Sequence, residues 1–337
     1  MLFACHPCLA SERPTTPRFG SWLVYWDMER GLRALAGNAP LDHVSVFAYQ
    51  FSADNTLVPA SQSVVETLAI LRQWPQERRP KVLVTVVNDR VTEGRTALKD
   101  ADCVHEVLAD TAARARHVEQ LLAAVGEADG LELDYENLHA QDRDAFSALV
   151  RELADRLHAQ GRLLSVVVQP KIADTVKDGA GAIDWRTVAA SADLVKVMAY
   201  HYHYPSGPPG PVAPPGWVAQ VARYAKRQVP AEKLCVILTM AGFDWPKNER
   251  ARAVHHDQAA LLATKHDRPI ERDRATASPW FRYSDDGGHD HEVWFEDAVS
   301  LDKKLTALRK AGVRQVALWY LGAGDTAFWL DLSAPRH

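Results

Sequence analysis

No run of eighteen or more apolar residues interrupts this 337-residue sequence, so no segment is long and apolar enough to cross a bilayer as a helix. A basic excess is missing too: 39 Lys and Arg stand against 43 Asp and Glu, a formal net charge of -4. The field that draws in nucleic acid or an anionic membrane surface is therefore absent, and neither partner is expected. Cysteines number only four, and Cys5, Cys8, Cys103 and Cys235 lack metal-site spacing. The Cys5-x-x-Cys8 pair stands alone in a Pro-rich stretch, so unpaired or buried thiols are expected. No G-x-G-x-x-G follows the first apolar run, which counts against a dinucleotide-binding sheet.

What is present is ordinary for a globular chain, with 47% hydrophobic and 24% charged residues, enough to fill a large core. Near the start, Leu2-Phe3-Ala4-Cys5 is similar to the lipobox of exported bacterial lipoproteins but lacks the charged and apolar regions that precede one. The expectation is an exported protein (periplasmic, lipoprotein or secreted) whose signal peptide is missing or truncated in this sequence, with a loose tail over residues 1–18.

Apolar, β-branched runs bounded by turn residues recur eight times: Ser21 to Trp26, His43 to Gln50, Lys81 to Val87, Gly130 to Glu136, Arg162 to Gln169, Asp193 to Tyr200, Lys233 to Met240 and Gln315 to Tyr320. Helical patterns lie between several of them. Val118, Leu121, Leu122 and Val125 repeat at helical spacing, as do Phe146, Leu149, Val150, Leu153 and Leu157. Gly126, Gly161 and Gly312 follow where helix ends favour a left-handed residue. Strands alternating with helices imply right-handed βαβ units, which build a doubly wound sheet or a closed barrel. Eight repeats favour the barrel. The expected fold is α/β, a (β/α)8 TIM barrel over residues 19–334, with a small α+β insertion between the seventh and eighth strands at about 241–296. Within that insertion Phe281 to Tyr283 and Glu292 to Phe295 are expected as short strands, and Tyr204 to Trp217, rich in proline and glycine, as a stiff loop after the sixth strand.

Asp129-Gly130-Leu131-Glu132-Leu133-Asp134-Tyr135-Glu136 is the informative stretch. Strand period two puts Glu132, Asp134 and Glu136 on one face and Leu131, Leu133 and Tyr135 on the other. On a half-exposed strand such an acidic face would simply meet water. In the fourth strand of a barrel both faces are covered, so the acids must point into the lumen. Buried carboxyls without partners are costly, and proteins tolerate them mainly where shifted proton affinities serve a function. Asp134 and Glu136, as neighbours, resist double ionisation, so one should hold a proton near neutral pH. Glu136 stands nearest the C-terminal end of the strand, where barrel enzymes build active sites, and is the expected proton donor.

These residues resemble the fourth-strand motif D-x-x-D-x-D-x-E of glycoside hydrolase family 18. Asp129, Asp134 and Glu136 match its first, third and last positions, and Glu132 replaces the second aspartate. Val197-Met198-Ala199-Tyr200 ends the sixth strand as the family's M-x-Y does, while His201 departs from the usual aspartate. Trp319 falls where the family places a tryptophan under the −1 sugar. Gln169-Pro170-Lys171, Gly242-Phe243-Asp244-Trp245 and Val293-Trp294-Phe295-Glu296-Asp297 are similar to the bacterial branch that includes spore-cortex peptidoglycan hydrolases. The similarity covers roughly Gly20 to Leu332.

The resemblance implies a retaining, substrate-assisted glycosidase that cleaves β-1,4-linked N-acetylglucosamine-containing glycans, peptidoglycan or chitin oligosaccharides, without metal or cofactor. In that scheme the sugar's own 2-acetamido oxygen attacks C1. Glu136 protonates the leaving oxygen and later deprotonates water, Asp134 orients the acetamido N–H, and Tyr200 binds the acetamido carbonyl. Trp319 stacks under the sugar, and Glu132, Asp129, Gln169 and His201 complete the residues expected to bind or support it.

Ten tryptophans is a high count, and Trp26, Trp217, Trp245 and Trp280 lie near strand ends or loops. Each alone is more often core, but Trp26 and Trp245 are carried as substrate-binding candidates. His201-x-His203 and His289-x-His291 raise a metal-dependent hydrolase, although the implied mechanism uses no metal. Arg143, Lys171 and Lys247 could meet a carboxylated substrate such as the lactyl group of N-acetylmuramic acid; solvated surface charge is the simpler reading of Arg143 and Lys247. A saccharide-binding protein on the same barrel, weakly active or inactive, is the alternative function. A monomer is expected.

Overall fold

The computed structural model describes residues 18–37, 40–75, 79–324 and 328. Eight parallel strands form its centre: β1 (Arg18–Leu23), β2 (Leu41–Ser52), β3 (Lys81–Thr92), β4 (Gly130–Asp134), β5 (Leu163–Val168), β6 (Leu194–Met198), β7 (Leu234–Thr239) and β8 (Gln315–Trp319). Each pairs with the next, and β8 returns to β1 in the register Arg18↔Gln315 to Ser21↔Leu318. The ring closes, so the fold is the expected barrel, not an open doubly wound sheet.

Continuous burial follows from covering both faces. β7 (LCVILT) is buried along its whole length, and β5 (LLSVVV) at all but its first residue. Helices Thr111–Val125 and Arg143–His158 lay the stripes Val118, Leu121, Val125 and Phe146, Leu149, Val150, Leu153, Leu157 against the sheet. The Asp110 carboxylate accepts the Ala113 amide at 2.7 Å to open the first of these helices. Gly126, Gly161 and Gly312 leave their helices at positive φ, 55°, 68° and 74°. Gly130 meets a different demand, because a Cβ there would stand 2.3 Å from the Leu163 carbonyl oxygen of β5.

Strand ends move from their expected places for local reasons. β1 begins at Arg18 and stops at Leu23, since Tyr25–Asp27 turn as a 3-10 helix into helix Met28–Ala36. β2 and β3 overrun and fold back on Leu57–Pro59 and Arg95–Ala97. The second hairpin turns at Glu93 and Gly94, both at positive φ (41° and 77°), the pair that a two-residue turn between right-twisted strands favours. β4 ends at Asp134, which leaves Glu136 on the rim instead of within the strand.

Between β7 and β8 the chain builds a five-stranded antiparallel sheet from Gly242–Pro246, Arg252–Val254, Glu271–Arg272, Pro279–Ser284 and Asp290–Trp294, together with helix His256–Lys265. Its own small core includes Val254, Ala259, Phe281, Tyr283, Val293 and Phe295. Arg18 of the expected tail begins β1, and the rest of the tail, with Cys5 and Cys8, lies outside the described residues. Cys103 and Cys235 are buried free thiols, and burial pushes both up to about 12. Among the described residues no helix is long and apolar enough to cross a membrane.

Candidate active site

β4 sends alternate side chains inward, and the lowest of them is Glu132. It is wholly buried: Oε1 accepts from Trp22 Nε1 at 2.7 Å and Thr85 Oγ1 at 3.0 Å, and Oε2 accepts from Ser165 Oγ at 2.8 Å. Lys196, in the middle of β6, completes the set at 2.5 Å, donates to Ser45 Oγ at 2.9 Å and lies 4.5 Å from the Trp22 ring centroid. Strands from all round the barrel thus satisfy one carboxylate, and no face of it is left for a ligand.

Asp134 and Glu136 stand above, where the strands end. Both line a cavity of about 400 Å³ whose walls include Trp319, Tyr200, Phe47 and Met198. Lys99 joins them, with Nζ 3.1 Å from Glu136 Oε1 and 3.5 Å from Asp134 Oδ2. Asp134 Oδ1 has no hydrogen-bond partner among the described residues. Desolvation raises the Asp134 pKa to about 7; Lys99 opposes the rise, and the charges of Glu136 and Glu132 add to it. The elevated proton affinity therefore falls on Asp134. For Lys99, burial alone would lower the pKa, but Asp134, Glu136 and Asp89 together outweigh it and raise it.

Glu136 is fixed through its backbone, not through its carboxyl. The buried Asn88 of β3 donates from Nδ2 to the Glu136 carbonyl at 2.8 Å and accepts the Glu136 amide on Oδ1 at 2.9 Å. The Asn88 side chain thus ties β3 to the chain two residues past the end of β4. Lys99 is held similarly, its amide donating to Asp89 Oδ1 at 2.8 Å.

Tyr200 follows β6 and is 7% exposed. Burial raises its hydroxyl pKa, and the charges of Glu136 and Asp134 add to the shift. That hydroxyl makes no hydrogen bond to a described residue. Trp319 is held edge-on by Trp22 and Phe47 at 5.5 and 6.0 Å, and Trp26, 49% exposed, packs on Phe47 at the rim. His201 also lines the cavity, its ring beside Tyr200 at 4.8 Å and Phe243 at 5.3 Å. The residue is exposed as a whole, yet desolvation of its ring lowers its pKa to about 4.

Six expected residues therefore meet at one cavity: Asp134, Glu136, Tyr200, His201, Trp26 and Trp319. The remaining four stand elsewhere. Glu132 lies in the lumen below, saturated by protein. Asp129 sits at the opposite end of β4, where it pairs with Arg79 and accepts the Val82 amide at 2.7 Å. Gln169 binds Asn137, the residue after Glu136, through two hydrogen bonds of 3.1 Å. Trp245 is buried in the inserted sheet, 5.3 Å from Phe243.

The carboxylate-reading cations do not reach the cavity either. Arg143 pairs with Asp184, Lys171 donates to the Ile183 carbonyl, and Lys247 faces Asp290 on the surface. A wider cleft of about 880 Å³ opens in the inserted lobe, but two of its acids, Glu292 and Asp290, are paired with Arg282 and Lys247. Among the described residues no three His, Cys, Asp or Glu side chains converge as metal ligands, and His203 spends its Nδ1–H on the Pro208 carbonyl.

Lys99, Asn88 and Lys196 escape a reading of the sequence. Two of them leave a trace. Asn88 and Asp89 interrupt the apolar run of β3 where a barrel strand reaches its mouth, and Lys196 splits the buried pattern Leu-Val-Lys-Val-Met, so it requires an anionic partner inside. Lys99 lies in a loop, and only the fold brings it to Glu136.

A closed (β/α)8 barrel with two carboxyls, a tyrosine and a tryptophan at the C-terminal mouth defines a carbohydrate-active hydrolase. The family model for Glycosyl hydrolases family 18 matches residues 22–324, and the chain belongs to that family; it is a glycosidase. It is 30% identical over 306 residues to the cortical fragment-lytic enzyme of Bacillus subtilis (strain 168), covering 87% of this chain and 67% of that one. Another relative from the same organism is matched over 66% of its length, so the chain spans about two thirds of these relatives. Among solved structures, the Bacillus cereus spore cortex-lytic enzyme SleL is similar at TM-score 0.80 and 25% identity, over 94% of this chain and 73% of that one. A chitinase from Chromobacterium violaceum gives TM-score 0.80 and 25% identity, over 95% of this chain and all of its own.

Proposed function

We propose that the protein is a retaining, substrate-assisted glycosidase acting on β-1,4-linked N-acetylglucosamine-containing glycans, with peptidoglycan or its fragments favoured over chitin. The observation that carries this reading is the meeting of Asp134, Glu136, Tyr200 and Trp319 in one cavity of about 400 Å³. Glu136, on the rim with its backbone clamped by Asn88, donates a proton to the leaving oxygen and then takes one from water. Asp134 positions the 2-acetamido group through its bare Oδ1 and, in its ionised form, offsets the positive charge that develops beside it. The unengaged Tyr200 hydroxyl binds the acetamido carbonyl so that its oxygen meets C1, and no enzymic nucleophile is required. Trp319 offers its face to the apolar side of the ring.

The lean toward peptidoglycan rests on relatives named for cortex lysis, and a chitinase among the similar structures keeps chitin as the other substrate. Digestion of purified peptidoglycan and of N-acetylglucosamine hexamer, with mass spectrometry of the products, tests the choice. Proton NMR of the first product tests the mechanism, since retention delivers the β anomer before mutarotation. An initial α anomer refutes it. A saccharide-binding protein with little turnover is the second reading, and Lys99 favours it by engaging the very group that must donate. Turnover by wild type no faster than by Glu136→Gln would establish that second reading.

A further inference from the structure

Lys99 is the lysine that lines the cavity, and the mechanism above leaves it unused. It is not a surface lysine: its side chain is 21% exposed, its backbone is held at a positive φ of 54° by the Asp89 contact, and its ammonium lies 5.5 Å from the Phe47 ring centroid. Its nearest partner is Glu136. A donor must carry a proton when the bond breaks, and at that moment the ion pair no longer exists. An ammonium 3.1 Å from the acid then loses its nearest partner and keeps only the more distant Asp134 and Asp89 charges. That vacated place suits another anion, and the leaving half of the substrate is what lies next to it.

Resting on the glycosidase reading, we propose that Lys99 is a specificity-determining residue that exchanges Glu136 for a carboxylate carried by the leaving sugar, and so selects glycans whose aglycone bears an ether-linked acid. The leaving oxygen must sit within hydrogen-bond reach of Glu136. On a 1,4-linked hexosamine, a lactyl ether on O3 neighbours that oxygen and places its carboxylate a few ångström away. Lysine's flexible four-carbon stem can follow the acid over such a distance. Without Lys99 the same carboxylate would face Asp89, Asp134 and Glu136, three acids and no cation among the cavity's lining residues. The exchange also couples two events: a carboxylated aglycone draws Lys99 from Glu136 and leaves Glu136 free to hold the proton it donates.

The test compares kcat/KM on a glycan of alternating N-acetylglucosamine and N-acetylmuramic acid with that on an N-acetylglucosamine oligomer of equal length. Lys99→Met is expected to lower the ratio of the two at least about tenfold, the order of a hydrogen bond to a charged group, and Lys99→Arg to retain most of it. Both rates falling together in Lys99→Met, with the ratio unchanged, overturns the proposal and leaves Lys99 as a structural partner of Glu136. A second measurement does not need turnover. In the Glu136→Gln background Lys99 lacks its nearest anion, so N-acetylmuramic acid should bind about tenfold more weakly once Lys99→Met is added, while N-acetylglucosamine should not distinguish the two. Equal binding of both sugars to both variants also overturns it. Wild type that splits neither glycan, yet shows the Lys99-dependent binding, refutes the glycosidase reading and preserves the selectivity.

Discussion

At the bottom of the lumen Glu132 and Lys196 are wholly buried, and four donors from β1, β3, β5 and β6 saturate the carboxylate. Above it, Asp134, the last residue of β4, and Glu136 just past the strand share Lys99 at 3.5 and 3.1 Å, and one Asp134 oxygen has no partner among the described residues. The same strand thus carries two lysine–carboxylate arrangements that differ in how fully they are satisfied. In a low dielectric a complete polar network is locked, whereas an incomplete one keeps groups whose hydrogen-bonding capacity a ligand can use. Satisfaction, more than burial, separates the girder from the site.

The largest expected effect separates them at the mouth. Glu136→Gln should lower kcat by about 10³-fold, within the range for losing a general acid, and lower the unfolding temperature only modestly, because Asn88 still holds the backbone of this residue and Lys99 keeps Asp134 and Asp89 as charge partners. A large drop in stability would make Glu136 part of the girder and erase the distinction. The converse prediction addresses the bottom. Lys196→Met should destabilise by about 3–5 kcal/mol in urea unfolding, because it strands the Glu132 charge, and Lys196→Met combined with Glu132→Gln should recover part of that loss. If the double variant is no better than the single one, charge pairing is not what Lys196 supplies.

The barrel and most of the cleft could be read from the sequence because both rest on periodicity. Strands covered on two faces write continuous apolar runs, and a strand crossing from lumen to mouth writes its acids at period two. Glu132, Asp134 and Glu136 therefore share a face as expected. What the alternation does not encode is which acid meets a partner. Lys196 comes from β6 and lies 64 positions after Glu132, so the quenching of Glu132 is a property of closure. Lys99 arrives from the turn between the hairpin strand Arg95–Ala97 and the next helix, where no repeat constrains position. Adjacency in the sequence predicts a proton shared out to one of Asp134 and Glu136, with Glu136 as its donor; the shift falls on Asp134 because the strand stops there and Glu136 emerges onto the rim.

A smaller effect sharpens the contrast by way of pH. Asp134→Asn should reduce kcat by about 10²-fold, the order expected when one preorganised electrostatic contact is lost. Its stability effect has a definite sign. The folded protein holds the Asp134 proton to about pH 7 and an unfolded chain releases it near 3.8, so wild type loses stability as pH rises through that window. The amide that replaces this carboxyl cannot ionise, and unfolding curves at pH 5 and pH 8 should show Asp134→Asn gaining on wild type at the higher pH. Parallel curves would mean that Asp134 is not protonated in the folded state.

Asp129→Asn is expected to do least, and it asks whether every acid of the motif belongs to one of the two arrangements. Asp129 lies at the end of β4 opposite the cavity, partly exposed, paired with Arg79 and bonded to the Val82 amide. Desolvation alone would raise its pKa, but Arg79 and the amide outweigh it and hold the carboxyl below its usual range. A depressed carboxyl stabilises the fold above the unfolded pKa, and that stabilisation disappears as pH falls through the folded value. The variant should therefore be about 1 kcal/mol less stable than wild type at pH 7, with the gap narrowing once pH drops below about 4, and kcat should stay within about twofold. A tenfold loss of kcat at unchanged stability would mean that the bottom of β4 communicates with its mouth, and that the girder and the site are one unit.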